Sequence, residues 1–174
     1  MRIERLFCMA FAALVVTGGS AYAIDVNKKI AAPGQMMVLW STISEFCSIK
    51  DWHPAIADCK ESKEGDATFR VLTLKDNGGT IKEKLTGSDD TSYSYEIVES
   101  PLPVKNYEAQ FTVTPDDDDL DEVNIVWAAT YDAADGKEDA EARKTIDGIF
   151  KDGIASIKGK LGDKVVDKKK KKDD

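Results

Sequence analysis

Apolar residues alternate with polar ones along much of the chain, and this pattern predicts strands. Six segments carry it: 24–32, 67–75, 80–85, 91–98, 104–114 and 123–131. Two other segments repeat apolar residues every three to four positions, which predicts helices. One helix begins at Pro33 and ends near Phe46, and the other covers 137–161. The segment 47–58 is irregular, and Pro54 within it argues against a continuous helix.

The order of these elements predicts an α+β fold. A strand and a helix come first, a run of antiparallel strands follows, and a long amphipathic helix comes last. The turn sequence Asp76-Asn77-Gly78-Gly79 marks a hairpin. The sheet has one face to cover and the last helix has one apolar stripe to bury. We therefore expect a curved antiparallel sheet wrapped around the C-terminal helix, with room for a pocket between them.

The hairpin places a charged pair on the inward face of the sheet. If the two strands pair across a four-residue turn, Leu72 faces Glu83 and Arg70 faces Leu85. Buried charges need partners. We therefore predict an ion pair between Arg70 and Glu83, set diagonally on the sheet. The pair either orients a ligand in the pocket or is purely structural.

Aromatic residues with polar tips occupy many of the other inward positions. Such a surface suits an amphipathic ligand, and it is equally compatible with an ordinary core. The irregular segment adds a tryptophan and a histidine. Our pocket candidates are Trp52, His53, Arg70, Glu83, Tyr95, Tyr107 and Trp127.

Composition limits the function classes. The chain has 174 residues, 42% of them hydrophobic, and a formal net charge of −8, which indicate one globular domain and disfavour nucleic-acid binding. It has a single histidine, so a zinc site with several histidine ligands is excluded. We expect neither a metal site nor a cofactor.

Residues 1–23 have the features of a secretory signal peptide. Arg2 and Arg5 precede an uncharged apolar run at 6–16, and Ala21-Tyr22-Ala23 matches an A-x-A cleavage site. The run is too short to span a bilayer. We expect an exported chain that begins at Ile24. Cys47 and Cys59 are then disulfide candidates, and the alternative is two separate buried thiols.

Two segments, a Lys-rich tail and an acidic cluster, are strongly charged and lack an apolar pattern. We divide the chain into a domain at 24–163 and a Lys-rich tail at 164–174, to which we assign no structure. An acidic cluster lies between the last two strands. Either segment could steer an encounter with a charged partner, or simply be solvated. The candidates for docking a partner are Asp116, Asp117, Asp118 and Asp119.

No combination of residues predicts catalysis. His53 is the obvious candidate base, and a nucleophilic Cys47 would conflict with a disulfide. The sequence contains no nucleophilic serine motif, phosphate-binding loop or dinucleotide-binding fingerprint. We expect a protein that is not an enzyme and assign no catalytic residue.

The segment 45–59, which includes Trp52-His53-Pro54, resembles the helix-to-strand segment of the SRPBCC superfamily. These START-like, helix-grip proteins are related to polyketide cyclases and the birch-pollen allergen. Three further parts of the sequence fit in order. They are Arg70-x-Leu72-x-Leu74 with Gly78-Gly79 and Glu83-x-Leu85, then Tyr95-x-Ile97-x-Glu99-Ser100-Pro101-Leu102-Pro103-Val104, and finally Val126-Trp127.

Within that superfamily, the export signal, size and cysteine pair are similar to those of the MxaD-type periplasmic proteins of methylotrophic bacteria. This resemblance implies a periplasmic accessory protein that aids electron transfer from methanol dehydrogenase to its cytochrome c. The alternative is a periplasmic carrier for a small amphipathic or aromatic ligand. A polyketide cyclase-like enzyme is less favoured.

Overall fold

The structure, a computed structural model, describes residues 23–33, 36–119 and 122–170. The predicted signal peptide lies outside the described residues apart from Ala23. The last four residues of the Lys-rich tail, 171–174, also lie outside them.

Within these residues, seven strands form one antiparallel sheet in the order β1-β7-β6-β5-β4-β3-β2. The strands are β1 (Ile24–Pro33), β2 (Ile56–Glu64), β3 (Ala67–Leu74), β4 (Thr80–Ser88), β5 (Ser92–Glu99), β6 (Val104–Pro115) and β7 (Glu122–Ala133). The first strand pairs with the last one. This arrangement leaves the first strand and β2 as the two edges of the sheet.

Three α-helices accompany the described sheet: α1 (Met36–Ile43), α2 (Ile49–Trp52) and α3 (Asp139–Lys170), with a 3₁₀ turn at Phe46–Ser48. The long helix α3 packs against β1 and β7. Its buried residues recur every three to four positions: Ala142, Ile146, Phe150, Ile154 and Ile157. The predicted α+β fold, a curved antiparallel sheet around a C-terminal helix, is therefore confirmed.

Three predicted boundaries were wrong. Pro33 ends β1 instead of beginning the first helix, which is described from Met36. That helix ends at Ile43, and Phe46 begins the 3₁₀ turn. The last helix continues past the predicted end at 161 to Lys170. Part of the Lys-rich tail, to which we assigned no structure, therefore has a helical backbone.

Strand β2 is the element that the sequence pattern missed. Only Ile56 and Cys59 of this strand are buried, and residues 60–64 are all exposed. The strand lies at an edge of the sheet, where both faces of its outer half meet solvent. It therefore lacks the apolar alternation from which strands are predicted.

The β3–β4 hairpin turns on two residues instead of four. Asp76 and Asn77 have positive φ angles of 55° and 57°, and the Gly78 N–H donates to the Lys75 carbonyl over 3.0 Å. This geometry is that of the tight hairpin turn that favours Asn, Asp and Gly. Pairing therefore begins between residues 75 and 78, and not between 75 and 80.

The shorter turn moves the register of the hairpin by two residues. Arg70 lies directly opposite Glu83, and Leu72 lies opposite Ile81, so the predicted diagonal relationship was wrong. Side chains alternate with a period of two, so an even shift leaves the same residues on the inward face. The predicted ion pair consequently forms, in a closer geometry than expected.

Candidate ligand-binding cavity

A cavity of about 350 Å³ lies between α3, the connection from α2 to β2, and the inward face of the sheet. Its volume is at the lower end of the range for small-molecule sites, about 300–1,000 Å³. Most of its wall is apolar. The wall includes Ile49, Pro54, Ile56, Leu72, Leu74, Ile81, Ile97, Leu102, Ile146 and Ile149.

One side of the cavity reaches the protein surface. Exposed Lys75, Asp76 and Gly78 of the β3–β4 hairpin line this rim. The hairpin lies close to the β5–β6 connection, because a Cβ on Gly79 would stand 3.5 Å from Pro101 Cγ. Two loops at the same end of the sheet therefore frame the opening.

His53 lines the cavity with both ring nitrogens already engaged. The Ala55 N–H donates to Nδ1 over 3.2 Å, and Nε2 lies 3.0 Å from the Ile149 carbonyl oxygen. A carbonyl oxygen only accepts, so Nε2 carries the proton; Nδ1 accepts from an N–H and carries none, so the ring is neutral. Burial lowers the pKa of His53. The imidazole thus joins the α2–β2 connection to α3.

Trp127 forms the floor behind this histidine. Its ring stacks on Phe150 of α3 at a centroid distance of 4.2 Å and meets Trp52 edge-on at 5.7 Å. The indole N–H donates to the Tyr95 hydroxyl over 2.9 Å. This aromatic cluster fixes the distance between helix and sheet at the inner end of the cavity.

Arg70 and Glu83 form the buried ion pair of the site. Arg70 Nε donates to Glu83 Oε2, and Nη1 donates to the Phe46 carbonyl oxygen. The guanidinium also lies 4.0 Å from the centroid of the Phe46 ring. Burial raises the pKa of Glu83, and Arg70 offsets part of that rise. Because arginine stays protonated, Glu83 balances its charge as a carboxylate.

Two tyrosines complete the polar part of the wall. Tyr95 and Tyr107 line the cavity with their ring centroids 6.1 Å apart. Burial raises the pKa of both hydroxyls. Both therefore remain protonated and can donate as well as accept hydrogen bonds at neutral pH.

Of the seven predicted pocket residues, His53, Glu83, Tyr95, Tyr107 and Trp127 line the cavity. The other two stand behind it. Trp52 packs between Trp127 and Phe111, and Arg70 is fully buried beneath Glu83.

Sequence reasoning missed much of the apolar wall. Ile146 and Ile149 belong to the apolar stripe that predicted α3, and that stripe was the available signal for them. Leu102 and Pro54 come from connections that have no periodicity. Their positions depend on how the loops fold, which a pattern of apolar residues does not encode.

The predicted disulfide is present. Cys47 and Cys59 are joined, with their Cα atoms 5.5 Å apart. The bond links the 3₁₀ turn to the fourth residue of β2. It therefore holds the cavity-lining segment 49–56 at both of its ends.

The acidic cluster is in part a structured turn. The Asp116 carboxylate accepts hydrogen bonds from the Asp118 N–H over 3.0 Å and from Asn124 Nδ2 over 3.0 Å. Asp117, Asp118 and Asp119 are exposed. Asp116 consequently shapes the turn, and the other three face solvent on it.

The described residues include no candidate membrane-spanning helix and no cluster of candidate metal ligands. In that part of the chain, no helix combines the length and apolar character needed to cross a membrane. The same residues contain no group of three or more His, Cys, Asp or Glu side chains placed to hold a metal ion.

Together the sheet, the long helix and the cavity between them define a helix-grip protein. The chain belongs to the family described as polyketide cyclase / dehydrase and lipid transport, whose family model matches residues 23–162. The superfamily predicted from the sequence is thereby confirmed. A comparison with curated proteins found no match.

Solved structures share this fold. The protein XoxI from Bacillus cereus is 27% identical with a TM-score of 0.73, and the match covers 80% of this chain and 96% of that one. An uncharacterised protein from Bacillus thuringiensis is 26% identical with a TM-score of 0.72, covering 79% and 98%. The ZhuI aromatase/cyclase from a Streptomyces species is 13% identical with a TM-score of 0.65, covering 83% and 96%, and shows the fold alone.

Proposed function

We propose that this chain is an exported binding protein for a small, mostly apolar molecule and that it binds without chemistry. The observation that carries the proposal is the cavity of about 350 Å³, whose apolar wall contains a few convergent polar groups. That combination is typical of small-molecule sites. The signal peptide predicted at 1–23 supports a periplasmic location.

The state of the polar groups supports binding over catalysis. Both ring nitrogens of His53 are hydrogen-bonded to the backbone, and Glu83 is paired with Arg70. A general base must be able to reach a substrate proton. Recruiting His53 would break one of its buried hydrogen bonds, and protonating Glu83 would remove the negative charge that balances Arg70.

Neighbouring residues of β5 provide a matched test. Ile97 lines the cavity, whereas Val98 is 47% exposed and does not line it. We expect N-phenyl-1-naphthylamine, an uncharged apolar dye, to bind the wild-type protein with a rise in fluorescence. Ile97→Trp fills the cavity and should weaken binding at least about tenfold, while Val98→Trp should leave it unchanged. Equal binding by both variants would place the dye elsewhere and contradict the proposal.

A second candidate is the accessory role in methanol oxidation that the resemblance to MxaD-type proteins implies. The exposed carboxylates at 117–119 support it, since a charged patch steers encounter with a partner of opposite charge. The test adds the mature chain to methanol dehydrogenase and cytochrome c from the same organism. We expect the added chain to increase the rate at which cytochrome c is reduced. This increase should become smaller as the salt concentration rises and in the variant Asp117→Lys/Asp118→Lys. An unchanged rate would argue against this role.

A further inference from the structure

Resting on the proposed function, we propose that the cavity selects apolar molecules carrying a hydrogen-bond donor, an alcohol or an amine, over carboxylic acids. Glu83 is the acceptor that makes this selection. The inference concerns the class of ligand, which neither the fold nor the family fixes.

The positive charge of the buried pair is hidden from the cavity. Arg70 is 0% exposed and is absent from the cavity wall. Its Nε and Nη1 are used by Glu83 and the Phe46 carbonyl, and aromatic rings cover the guanidinium, Phe46 at 4.0 Å and Tyr95 at 5.1 Å. A ligand carboxylate therefore has no access to it.

The negative partner is on the cavity side. Glu83 lines the cavity, and its side chain keeps 6% exposure. The hydrogen bond from Arg70 ends on Oε2, which leaves Oε1 as the oxygen able to accept a hydrogen bond from a ligand. A hydrogen bond to this buried acceptor stabilises the complex most when the donor belongs to a ligand that is otherwise apolar.

The other polar groups of the wall do not reverse this preference. The imidazole proton of His53 is held by the Ile149 carbonyl, so it is not offered to a ligand. Lys75 is the cationic side chain among the described wall residues, and it lies at the exposed rim beside Asp76. Tyr95 and Tyr107 are neutral and accommodate either kind of headgroup, and the Thr145 hydroxyl already donates to the Glu141 carbonyl over 2.9 Å.

A carboxylate in this cavity would lie near the Glu83 carboxylate in a largely apolar site. Two like charges at close range raise each other's cost of ionisation. The ligand would have to bind as the neutral acid or remain outside. An alcohol is uncharged and is not repelled by Glu83, and a protonated amine forms a charge-assisted hydrogen bond with it.

Three ligands of one shape test the inference. 2-Naphthalenemethanol, 2-(aminomethyl)naphthalene and 2-naphthoate would each displace N-phenyl-1-naphthylamine from the full mature protein at about pH 7.5. We expect the alcohol and the amine to bind at least about tenfold more tightly than the naphthoate. Glu83→Gln, which keeps an acceptor for Arg70, should reduce that ratio to below about threefold, and Glu99→Gln on the surface should leave it unchanged.

The wild-type ranking decides the question even if Glu83→Gln does not fold. Naphthoate binding as tightly as the alcohol, or no displacement by any of the three while the dye still binds, would overturn the inference and leave the proposed function standing. No binding of the dye or of any naphthalene would overturn both.

Discussion

Gly153 of α3 lies against the imidazole of His53. A Cβ on this glycine would stand 2.7 Å from His53 Cδ2 and 2.8 Å from Trp127 Cζ3. Real Cβ atoms do not approach other atoms so closely. The absence of a side chain at 153 is therefore what lets the helix come close enough for His53 to reach the Ile149 carbonyl.

Gly153→Ala should destabilise the protein by about 1–3 kcal/mol, the usual cost of forcing a methyl group into a packed core. Gly148→Ala on the same helix is the matched control, because a Cβ there meets nothing within 4 Å. That change should stabilise by up to about 1 kcal/mol through helix propensity. Urea unfolding of both variants measures the difference. Equal effects of the two substitutions would contradict the close approach.

His53 should remain neutral and hold its proton on Nε2 throughout the neutral range. The chain has one histidine, so a ¹⁵N spectrum of untagged protein reports on this ring alone. Burial lowers its pKa from the ordinary 6.5, so we expect the midpoint of its titration to lie below that value. A ring that titrates at 6.5 or above, or that carries its proton on Nδ1, would contradict the hydrogen bonds described.

The same shift makes stability depend on pH. Below about 6.5 the unfolded chain binds a proton at His53 that the folded chain resists, so the free energy of unfolding should fall as pH decreases through that value. His53→Gln should remove this part of the pH profile. Subtracting the two profiles isolates the histidine from the carboxylates. Parallel profiles would show that His53 contributes nothing.

The Arg70–Glu83 pair should behave as one unit. Arg70→Met alone leaves a buried carboxylate without its partner and should cost about 3–5 kcal/mol. The double variant Arg70→Met/Glu83→Leu should be more stable than that single variant, since it removes both charges. Denaturant unfolding of the wild type, of each single variant and of the double variant measures the coupling. Additive losses would show that the two residues do not interact.

The disulfide should contribute about 3 kcal/mol to the free energy of unfolding, because it closes a loop between residues separated by 12 positions and so restricts the unfolded chain. We expect a reductant to lower the midpoint of urea unfolding in the wild type. The Cys47→Ser/Cys59→Ser variant should unfold at the lower midpoint and should not respond to the reductant. A wild-type midpoint unaffected by reductant would indicate that the bond is absent from the protein.

Period-two and period-3.6 patterns were enough to predict most of the fold. The inward residues of β5 to β7 and the apolar stripe of α3 as far as Ile157 are buried or partly buried as expected, since each element has one face in the core. Strand β2 escaped prediction because it is a polar edge strand. The hairpin register was wrong by two residues because Asp76 and Asn77 both adopt positive φ angles, which a four-residue turn signal does not specify.

The candidate site was only partly visible in the sequence. Four of the five predicted residues that line the cavity lie on strands, where an inward position is a strong constraint, and the fifth, His53, lies in the α2–β2 connection. Whether a charged inward residue faces the cavity or stands behind it depends on packing depth, so Arg70 and Glu83 could not be separated beforehand. The two hydrogen bonds of His53 come from loop geometry and from a helix that lies 96 residues further along the chain.

The central claim is that the cavity holds a small molecule in the protein's own setting. Native mass spectrometry of chain purified from its own host tests this claim most directly, with Ile97→Trp from the same host as the control. We predict that the wild type carries a discrete mass above that of the polypeptide, which disappears on denaturation and is missing from Ile97→Trp. A wild-type protein that shows the polypeptide mass alone would contradict the account.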